Sequence, residues 1–277
     1  MSIEEVKKSF EAKGGATEAL FTFGERPEES PVFRERLAAI GYSSTVDYVL
    51  ELCKIAVEYN LLPHTNAGAL SYAELRKLQP YNASMGLMLE TTALLRVHDN
   101  SPGKNPVFRL RTIENAGMLK IPFTTGILVG IGEKLYDRRE SLEAIKKLHE
   151  RHDHIQEVII QPFYPKPNTP MKNHPSPSIE DMKRTVYMAR QILPEEIAIQ
   201  IPPNLSPLEL IRNGATDLGG ISSQTIDYIN PEATWPTEAD MRAGIYPIPL
   251  RERLPIYPRF VRMGWYSSEI SDLIKKL

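Results

Sequence analysis

The sequence predicts an α/β fold in which parallel strands alternate with helices and close into a (β/α) barrel. Short apolar runs alternate with capped helical segments along the chain, and no second repeat type interrupts them. The number of these units and the length of 277 residues favour a barrel over an open doubly wound sheet. Thr124–Glu133 shows the pattern most clearly, because an apolar run broken by glycines ends in a carboxylate. Such a run is typical of a parallel strand buried on both faces.

Strands are predicted where short apolar runs lie between helical segments. They cover Glu18–Phe23, Leu61–Thr65, Ser84–Thr91, Thr124–Glu133, Val158–Tyr164, Ile197–Ile201 and Leu218–Ser222. Since the chain opens with a helix, the first strand expected of a barrel is missing at the N-terminus. The barrel is predicted over residues 1–230, and a proline- and aromatic-rich C-terminal extension over residues 231–277 is predicted to pack on it.

Helices are predicted where a serine or aspartate is followed three positions later by an acidic residue, the pattern of a helix cap. These starts are Ser2, Ser44, Ser71, Asp137 and Ser178. Ser206 is followed by proline and starts a short helix, and the last helix is predicted at Ser267–Lys276. The segment Glu25–Gly41 is interpreted as a charged connection that contains proline.

Composition limits the classes of function. A formal net charge of −2 gives no electrostatic case for nucleic acid or for an anionic membrane. No apolar run is long enough to span a bilayer, and the N-terminal residues do not have the pattern of a signal peptide. The single cysteine, Cys53, excludes an internal disulfide and fits a reducing compartment, so a cytoplasmic location is expected.

Three glutamates share a placement at the carboxyl ends of predicted strands: Glu25, Glu90 and Glu133. In α/β barrels this is where ligands and substrates are bound, although each glutamate would also suit a neighbouring helix start. Their common placement favours function. The pair Gly130-x-Gly132 does not continue into a dinucleotide-binding motif, and there is no P-loop.

The histidines do not form a metal-binding set in the sequence. His149, His152 and His154 lie at a helix end, where a solvated role that compensates the helix dipole is favoured. His64 and His98 follow strands, so they either face the site or serve ordinary loops. Cys53 lies on an apolar helix face and is predicted to be an inert core residue.

Several motifs together resemble the radical-SAM family and, within it, the deazariboflavin synthases. The resemblance runs along essentially the whole chain. It rests on FTFGERPE (21–28), LETT (89–92), AGMLKIPFTTGILVGIGE (116–133), QPFYPKPNTPM (161–171) and LGGISSQTIDYINPEATWP (218–236). The fold that it implies is a barrel of the radical-SAM type.

The resemblance also implies a reaction. The family uses a 4Fe–4S cluster to cleave S-adenosylmethionine to a 5′-deoxyadenosyl radical, which abstracts hydrogen from the substrate. That small-molecule substrate joins a tyrosine-derived hydroxybenzyl group to a ribityl-diaminouracil, and ring closure with loss of ammonia gives the deazaflavin chromophore. The implied partners are a companion radical-SAM enzyme (CofH-type) that makes this adduct and a reductant such as ferredoxin or flavodoxin, without nucleic acid or membrane.

Position by position, the resemblance implies contacts with S-adenosylmethionine. The residues concerned are Gly24, Glu25, Glu90, Gly130, Ile131, Gly132, Gln161 and Pro162. The first pair matches the motif that receives the methionine amino group, and Glu90 matches a carboxylate near the ribose and the amino acid. The remaining residues match segments along the adenine. No catalytic residue is assigned.

One departure from the family is severe. The C-x3-C-x2-C motif that holds the cluster lies in the family's first strand loop, and neither that strand nor the motif is present in the sequence. Cys53 alone cannot ligate a cluster, so this chain is expected to be inactive by itself. Two explanations are open: the chain begins at an internal methionine of a longer protein, or it is a cluster-less relative that binds S-adenosylmethionine or a partner without catalysis. A different barrel enzyme, such as an aldolase, has weaker support.

Overall fold

Parallel strands alternate with α-helices in the computed structural model, which describes residues 1–222 and 225–277. The strands are β1 (Glu18–Thr22), β2 (Leu62–Asn66), β3 (Ser84–Gly86), β4 (Phe123–Val129), β5 (Ile155–Pro162) and β6 (Ala198–Gln200). The helices are α1 (Ile3–Glu11), α2 (Pro31–Ala39), α3 (Thr45–Glu58), α4 (Tyr72–Leu78), α5 (Pro106–Met118), α6 (Leu135–His152), α7 (Ile179–Ile192), α8 (Glu238–Ile245), α9 (Pro258–Arg262) and α10 (Ser268–Lys276). Within these described residues, no helix is long and apolar enough to cross a membrane.

The chain forms two compact units. Unit 1 contains Met1–Leu87, Thr112–Phe123 and Arg253–Leu277. In it, β1, β2 and β3 pair in parallel and in chain order. Residues of α9 and α10 pack with β2 in an apolar cluster made of Leu62, Ala83, Ile256, Phe260, Ile270, Leu273 and Ile274. The last residues of the chain thus complete the core of unit 1, and the predicted domain boundary near residue 230 stays a prediction.

Unit 2 contains Met88–Arg111 and Thr124–Glu252. Its strands are also neighbours in chain order, and β5 pairs with β6 in parallel, with Val158 opposite Ile199. The successive residues Phe123–Ile127 are all buried, so both faces of β4 are covered, which explains the near-continuous apolar run in the sequence. The predicted central stretch is therefore a buried strand.

Four predicted helix caps are confirmed at the level of single hydrogen bonds. The hydroxyls of Ser2, Ser44, Ser71 and Ser178 each accept a backbone N–H three residues later. At Ser2 and Ser71 the glutamate also returns a bond to the serine N–H, which completes a capping box. Local sequence therefore determines where these helices begin.

Other predicted elements are wrong. Leu218–Ser222 is not a strand: only Asp217 forms a bridge, to Gln200. The Asp217 side chain accepts the Gly219 N–H at 2.6 Å, and Gly219 has a φ of +75°. This turn leads the chain away from β6, because a strand cannot continue through a left-handed residue.

Three further corrections concern helix starts and connections. The supposed connection Glu25–Gly41 contains α2, which begins with Pro31 in the first turn. Asp137 does not precede α6 but lies in its first turn, where it accepts the Lys134 N–H at 2.7 Å. After Ser206 the chain forms a 3₁₀ helix, Leu208–Asn213, and the predicted strand Ser84–Thr91 stops at Gly86.

Gly126 lies in β4 where neighbouring segments press against its backbone. A Cβ atom there would come within 2.4 Å of the Ile159 carbonyl oxygen and 2.7 Å of the Met88 sulfur. The backbone of β5 cannot retreat by this amount without losing its own strand pairing. Packing therefore requires glycine at this position, independently of any ligand.

We expect Gly126→Ala to destabilise the protein by about 1–3 kcal/mol, because the added methyl overpacks a buried site. Each ~1 kcal/mol should lower the thermal midpoint by about 2–4 °C, measurable by calorimetry. Gly15→Ala is the control, since a Cβ at Gly15 meets nothing within 4 Å in the described part of the chain. Equal shifts in both variants would contradict the close packing at Gly126.

Candidate functional site

Glu90 lies just beyond β3, at a point where the backbone bridges to β4. Its N–H donates to the Gly126 carbonyl and its own carbonyl accepts from Leu128, both at 3.0 Å. The φ of Glu90 is +67°, a left-handed conformation that costs energy in a residue with a Cβ. The bridge to β4 holds this strained residue in place and orients its side chain.

The Glu90 carboxylate is buried against two cations. The Lys104 ammonium donates to Glu90 Oε1, and Arg109 Nη1 lies 3.5 Å from the same oxygen. Arg109 also donates to the carbonyl oxygens of Met88 and Gly103, so its guanidinium ties the segments on both sides of Glu90 together. The Glu90 side chain is 8% exposed.

His98 completes this cluster, with its Nε2 at 3.6 Å from Glu90 Oε2. Burial lowers the pKa of His98 below its usual value, and Lys104 and Arg109 act in the same direction against the opposing effect of Glu90. The imidazole is therefore neutral at pH 7. Of the two alternatives for His98, the structure favours a position facing the site.

The cluster thus combines one carboxylate, two cations and one neutral imidazole. Lys104 and Arg109 are charged donors of the kind that bind carboxylate groups. The sequence analysis missed Lys104 and Arg109. Lys104 lies in the loop before α5 and Arg109 in the first turn of α5, so neither follows a predicted strand, where site residues were sought.

Glu133 has a different role from Glu90 despite its similar place in the sequence. Its two carboxylate oxygens accept the N–H groups of Gly130 and Ile131, each at 2.8 Å. Arg138 Nε also donates to it at 2.7 Å, and the Glu133 side chain is 1% exposed. The carboxylate therefore holds its own turn, and the expected ligand-binding role for Glu133 is wrong.

This turn presents a particular surface. The N–H groups of Gly130 and Ile131 are occupied, so the turn offers carbonyl oxygens and apolar surface to a ligand. Gly130 packs against Pro177, which a Cβ would approach to 2.9 Å, whereas nothing described lies within 4 Å of a Cβ at Gly132. Gly132, with a φ of +102°, is the open position.

The segment at the end of β5 lies beside this turn. Phe163 donates its N–H to the Val129 carbonyl at 2.7 Å, which continues the pairing of β4 and β5 to the ends of both strands. Pro162 is buried and Gln161 is half-buried. In unit 2 the structure therefore brings together, at neighbouring strand ends, the predicted residues Glu90, Gly130, Ile131, Gly132, Gln161 and Pro162.

Gly24 and Glu25, the other predicted site residues, belong to unit 1 and follow β1. The Phe23 N–H donates to the Asn66 carbonyl at 3.1 Å, so the pairing with β2 reaches the residue before Gly24. Gly24 is exposed, and nothing described lies within 4 Å of a Cβ built on it. Glu25 packs over Gly68, whose Cβ would come 3.0 Å from Glu25 Cγ.

Cys53 is not suited to act as a ligand of an iron–sulfur cluster. Its side chain is fully buried on α3, with Sγ 3.6 Å from Thr65 Oγ1 and 3.5 Å from Asn82 Nδ2. Burial raises the pKa of the thiol to about 12, whereas cluster ligation needs a thiolate. The prediction of an inert core cysteine is confirmed, and these 277 residues contain no second cysteine. The residues present do not fit a 4Fe–4S cluster.

The solvated role predicted at the end of α6 is wrong for His149 and His154, which are 2% and 0% exposed, whereas His152 is half-buried. Asp153, with a φ of +59°, ends α6 between His152 and His154. His149 Nδ1 accepts the Ile155 N–H at 3.2 Å, so in the neutral ring the proton is on Nε2. That nitrogen lies 3.4 Å from an Asp153 carboxylate oxygen and 3.5 Å from a Glu196 carboxylate oxygen.

Comparison with solved structures defines the class of fold. The structure is similar to methylornithine synthase (TM-score 0.59, 18% identity), covering 100% of this chain and 77% of that one. It is also similar to the FeFe-hydrogenase maturase HydG of Carboxydothermus hydrogenoformans (TM-score 0.61, 20% identity), covering 82% of this chain and 55% of that one. The predicted α/β fold class, with parallel strands that alternate with helices as in a partial barrel, is confirmed.

Comparison with curated proteins shows the family, although no family model matches the chain. The 7,8-didemethyl-8-hydroxy-5-deazariboflavin synthase of Methanosarcina mazei is 56% identical over 280 residues, which cover 100% of this chain and 84% of that protein. The synthase of Archaeoglobus fulgidus is 57% identical over 280 residues, covering 100% of this chain and 86% of that protein. The chain belongs to the 7,8-didemethyl-8-hydroxy-5-deazariboflavin synthase family.

We expect Glu133→Gln to destabilise the protein by about 3–5 kcal/mol, because it leaves the Arg138 guanidinium buried without its main partner. Urea denaturation followed by circular dichroism measures the loss. Glu150→Gln on α6 is the control, since the pair of Glu150 with Lys146 is at 3.8 Å and the Glu150 side chain is 54% exposed. That variant should change stability by less than about 0.5 kcal/mol, and a similarly small effect of Glu133→Gln would refute the structural role.

Cys53 should react very slowly with a thiol reagent such as DTNB at pH 8 in the native protein, because the thiol is buried and protonated. The urea-unfolded chain should react with one equivalent at the rate of a free thiol. Leu94→Cys is the control, since residue 94 is 84% exposed and its thiol should react at once in the folded state. Rapid modification of native wild-type protein would contradict the buried environment of Cys53.

Proposed function

We propose that this chain is the ligand-binding barrel of a deazariboflavin synthase and that its ligand is S-adenosylmethionine. The observation that carries the proposal is identity above one half across the full chain with curated synthases such as that of Archaeoglobus fulgidus, at 57%. Identity at this level, spread over a shared fold, supports a shared ligand site. The proposed reaction is the radical formation of the deazaflavin chromophore from the hydroxybenzyl–ribityl-diaminouracil adduct, with loss of ammonia.

The proposed S-adenosylmethionine-binding site uses the residues at the strand ends. In unit 2, the Glu90 carboxylate would accept hydrogen bonds from ribose hydroxyls or the methionine ammonium, and the neighbouring cations would hold the methionine carboxylate. The open position at Gly132 and the ends of β4 and β5 (Gly130, Ile131, Gln161 and Pro162) would lie along adenine, whose amino group can donate to free carbonyl oxygens. Gly24 and Glu25 belong to unit 1, and their match to the motif that receives the methionine amino group stays a prediction from the resemblance.

The cluster belongs to the proposal only as a requirement. A 4Fe–4S cluster supplies the electron that cleaves S-adenosylmethionine in this enzyme class, and cysteines from outside these 277 residues would have to hold it. We propose that this polypeptide by itself neither assembles a cluster nor cleaves S-adenosylmethionine. The full reaction would also require a companion enzyme of the CofH type and a reductant such as ferredoxin or flavodoxin.

A second candidate function follows from Cys53. Because the only cysteine is buried and protonated, a barrel that binds S-adenosylmethionine or a protein partner without catalysis is consistent with the same site. The two candidate functions share the ligand-binding site and differ in whether the ligand is turned over. They are separated by whether cysteines supplied in trans or in a longer chain restore cleavage.

Isothermal calorimetry with S-adenosylmethionine and this chain should show binding, and Glu90→Gln should weaken it about tenfold or more, through loss of charge-assisted hydrogen bonds. Glu150→Gln is again the control, because Glu150 lies exposed on α6, and calorimetric melting verifies that both variants are folded. Absence of S-adenosylmethionine binding to the wild-type chain would overturn the proposed binding site.

Anaerobic reconstitution with iron and sulfide should yield no cluster absorbance, since no cysteine set is available. Addition of dithionite and S-adenosylmethionine should then yield no 5′-deoxyadenosine by mass spectrometry. A reconstituted cluster together with 5′-deoxyadenosine from this chain would refute the requirement for outside cysteines.

A further inference from the structure

His64 is a histidine inside unit 1 that is not part of the proposed S-adenosylmethionine-binding site. It occupies the middle of β2, with Leu20 of β1 and Ser84 of β3 as its partners in strand register. The residue is only 9% exposed. Burial of a polar ring in the centre of a strand costs free energy unless the ring nitrogens are hydrogen-bonded.

The position of the imidazole proton follows from two hydrogen bonds. Ser84 Oγ donates its single proton to the Pro255 carbonyl at 2.6 Å. The same oxygen lies 2.7 Å from His64 Nδ1, so it can only accept there and Nδ1 must carry the proton. Ser84 and Pro255 therefore lock His64 in one tautomer, in which Nε2 is a hydrogen-bond acceptor.

Nε2 of His64 remains available. It makes no hydrogen bond within the described residues. It is also not fully buried, because the fully buried polar atoms without a partner do not include it. The small exposed area of the residue therefore includes this nitrogen. Burial, and secondarily the charge of Arg253, lowers the pKa of His64 to about 4, so the ring stays neutral at physiological pH.

Arg253 supplies the second element of this environment. It lies two residues before Pro255, on the segment that fixes the tautomer, and is half-buried. Its guanidinium is stacked 4.4 Å from the centre of the Tyr257 ring and donates to the Leu254 carbonyl at 3.2 Å. These contacts hold a cation on the segment that contacts the locked imidazole.

The acceptor Nε2 of His64 and the cation of Arg253 together favour one type of ligand group. A ligand carboxylate would place its lone pairs against the Nε2 lone pair, and an ammonium would be repelled by Arg253. An aliphatic hydroxyl can donate to Nε2 but gains little from the cation. A phenol satisfies both groups, because its hydroxyl donates strongly and its oxygen bears partial negative charge when it does so.

We propose that His64 Nε2 accepts a hydrogen bond from a ligand phenol, with Arg253 stabilising the charge on its oxygen. The inference rests on the proposed function in one respect: the hydroxybenzyl half of the proposed substrate carries a single phenol. No proton transfer is required, and the hydroxyl keeps its proton.

The test uses p-cresol, the free form of that phenol, and the imidazole nitrogens of ¹⁵N-histidine-labelled chain observed by NMR. His64→Gln identifies the resonances. In the free protein, His64 should show a protonated Nδ1 and a bare Nε2. Titration with p-cresol should shift the Nε2 resonance toward that of a hydrogen-bonded nitrogen, and toluene, which has no hydroxyl, should not.

Matched variants separate the parts of the inference. Ser84→Ala should allow a mixture of tautomers, and Arg253→Met should weaken p-cresol binding about tenfold, whereas Arg251→Met, at an exposed arginine, should not. An unmoved Nε2 resonance up to the solubility limit of p-cresol, or an equal shift with toluene, would overturn the proposal. The assay needs neither cluster nor S-adenosylmethionine, so a positive result beside absent S-adenosylmethionine binding would contradict the proposed function alone.

Discussion

The backbone bridge between Glu90 and β4 is the constraint on which the site in unit 2 depends. Two hydrogen bonds hold Glu90 in a left-handed conformation that its Cβ disfavours. The strained residue then meets Lys104 and Arg109 in a buried charge cluster. Because Arg109 also bonds to carbonyl oxygens on both sides of Glu90, backbone pairing and side-chain charge support the same geometry. Loss of either would release the carboxylate from its position.

Glu133 shows how the same residue type serves the opposite purpose one strand later. Its carboxylate turns back onto the N–H groups of its own loop and onto Arg138, so it is saturated within the protein. This saturation determines what the loop offers to a ligand. With the amide protons occupied, the loop presents carbonyl and apolar surface, which suits a planar heterocycle better than a phosphate.

The chemistry of the two histidines, His64 and His98, is set by their surroundings in a comparable way. Burial keeps both rings neutral. His98 faces a carboxylate and two cations, whereas His64 is locked by a hydroxyl that has already donated its proton to Pro255. A neutral imidazole with a defined tautomer is a directional acceptor, and this is the form in which histidine recognises a hydroxyl.

The sequence by itself determined the places of the six strands, four serine-capped helix starts and, through its motifs, the family, because capping and apolar periodicity are local properties. Local patterns did not determine the partners of each carboxylate, since Glu90 and Glu133 both follow apolar runs, but Glu90 pairs with Lys104 and Arg109 whereas Glu133 folds back onto its own turn. They also missed the turn at Gly219 and the burial of His149, where tertiary packing decides. Contacts between residues far apart in the chain carry no local signal, and these contacts assign the roles of the site residues.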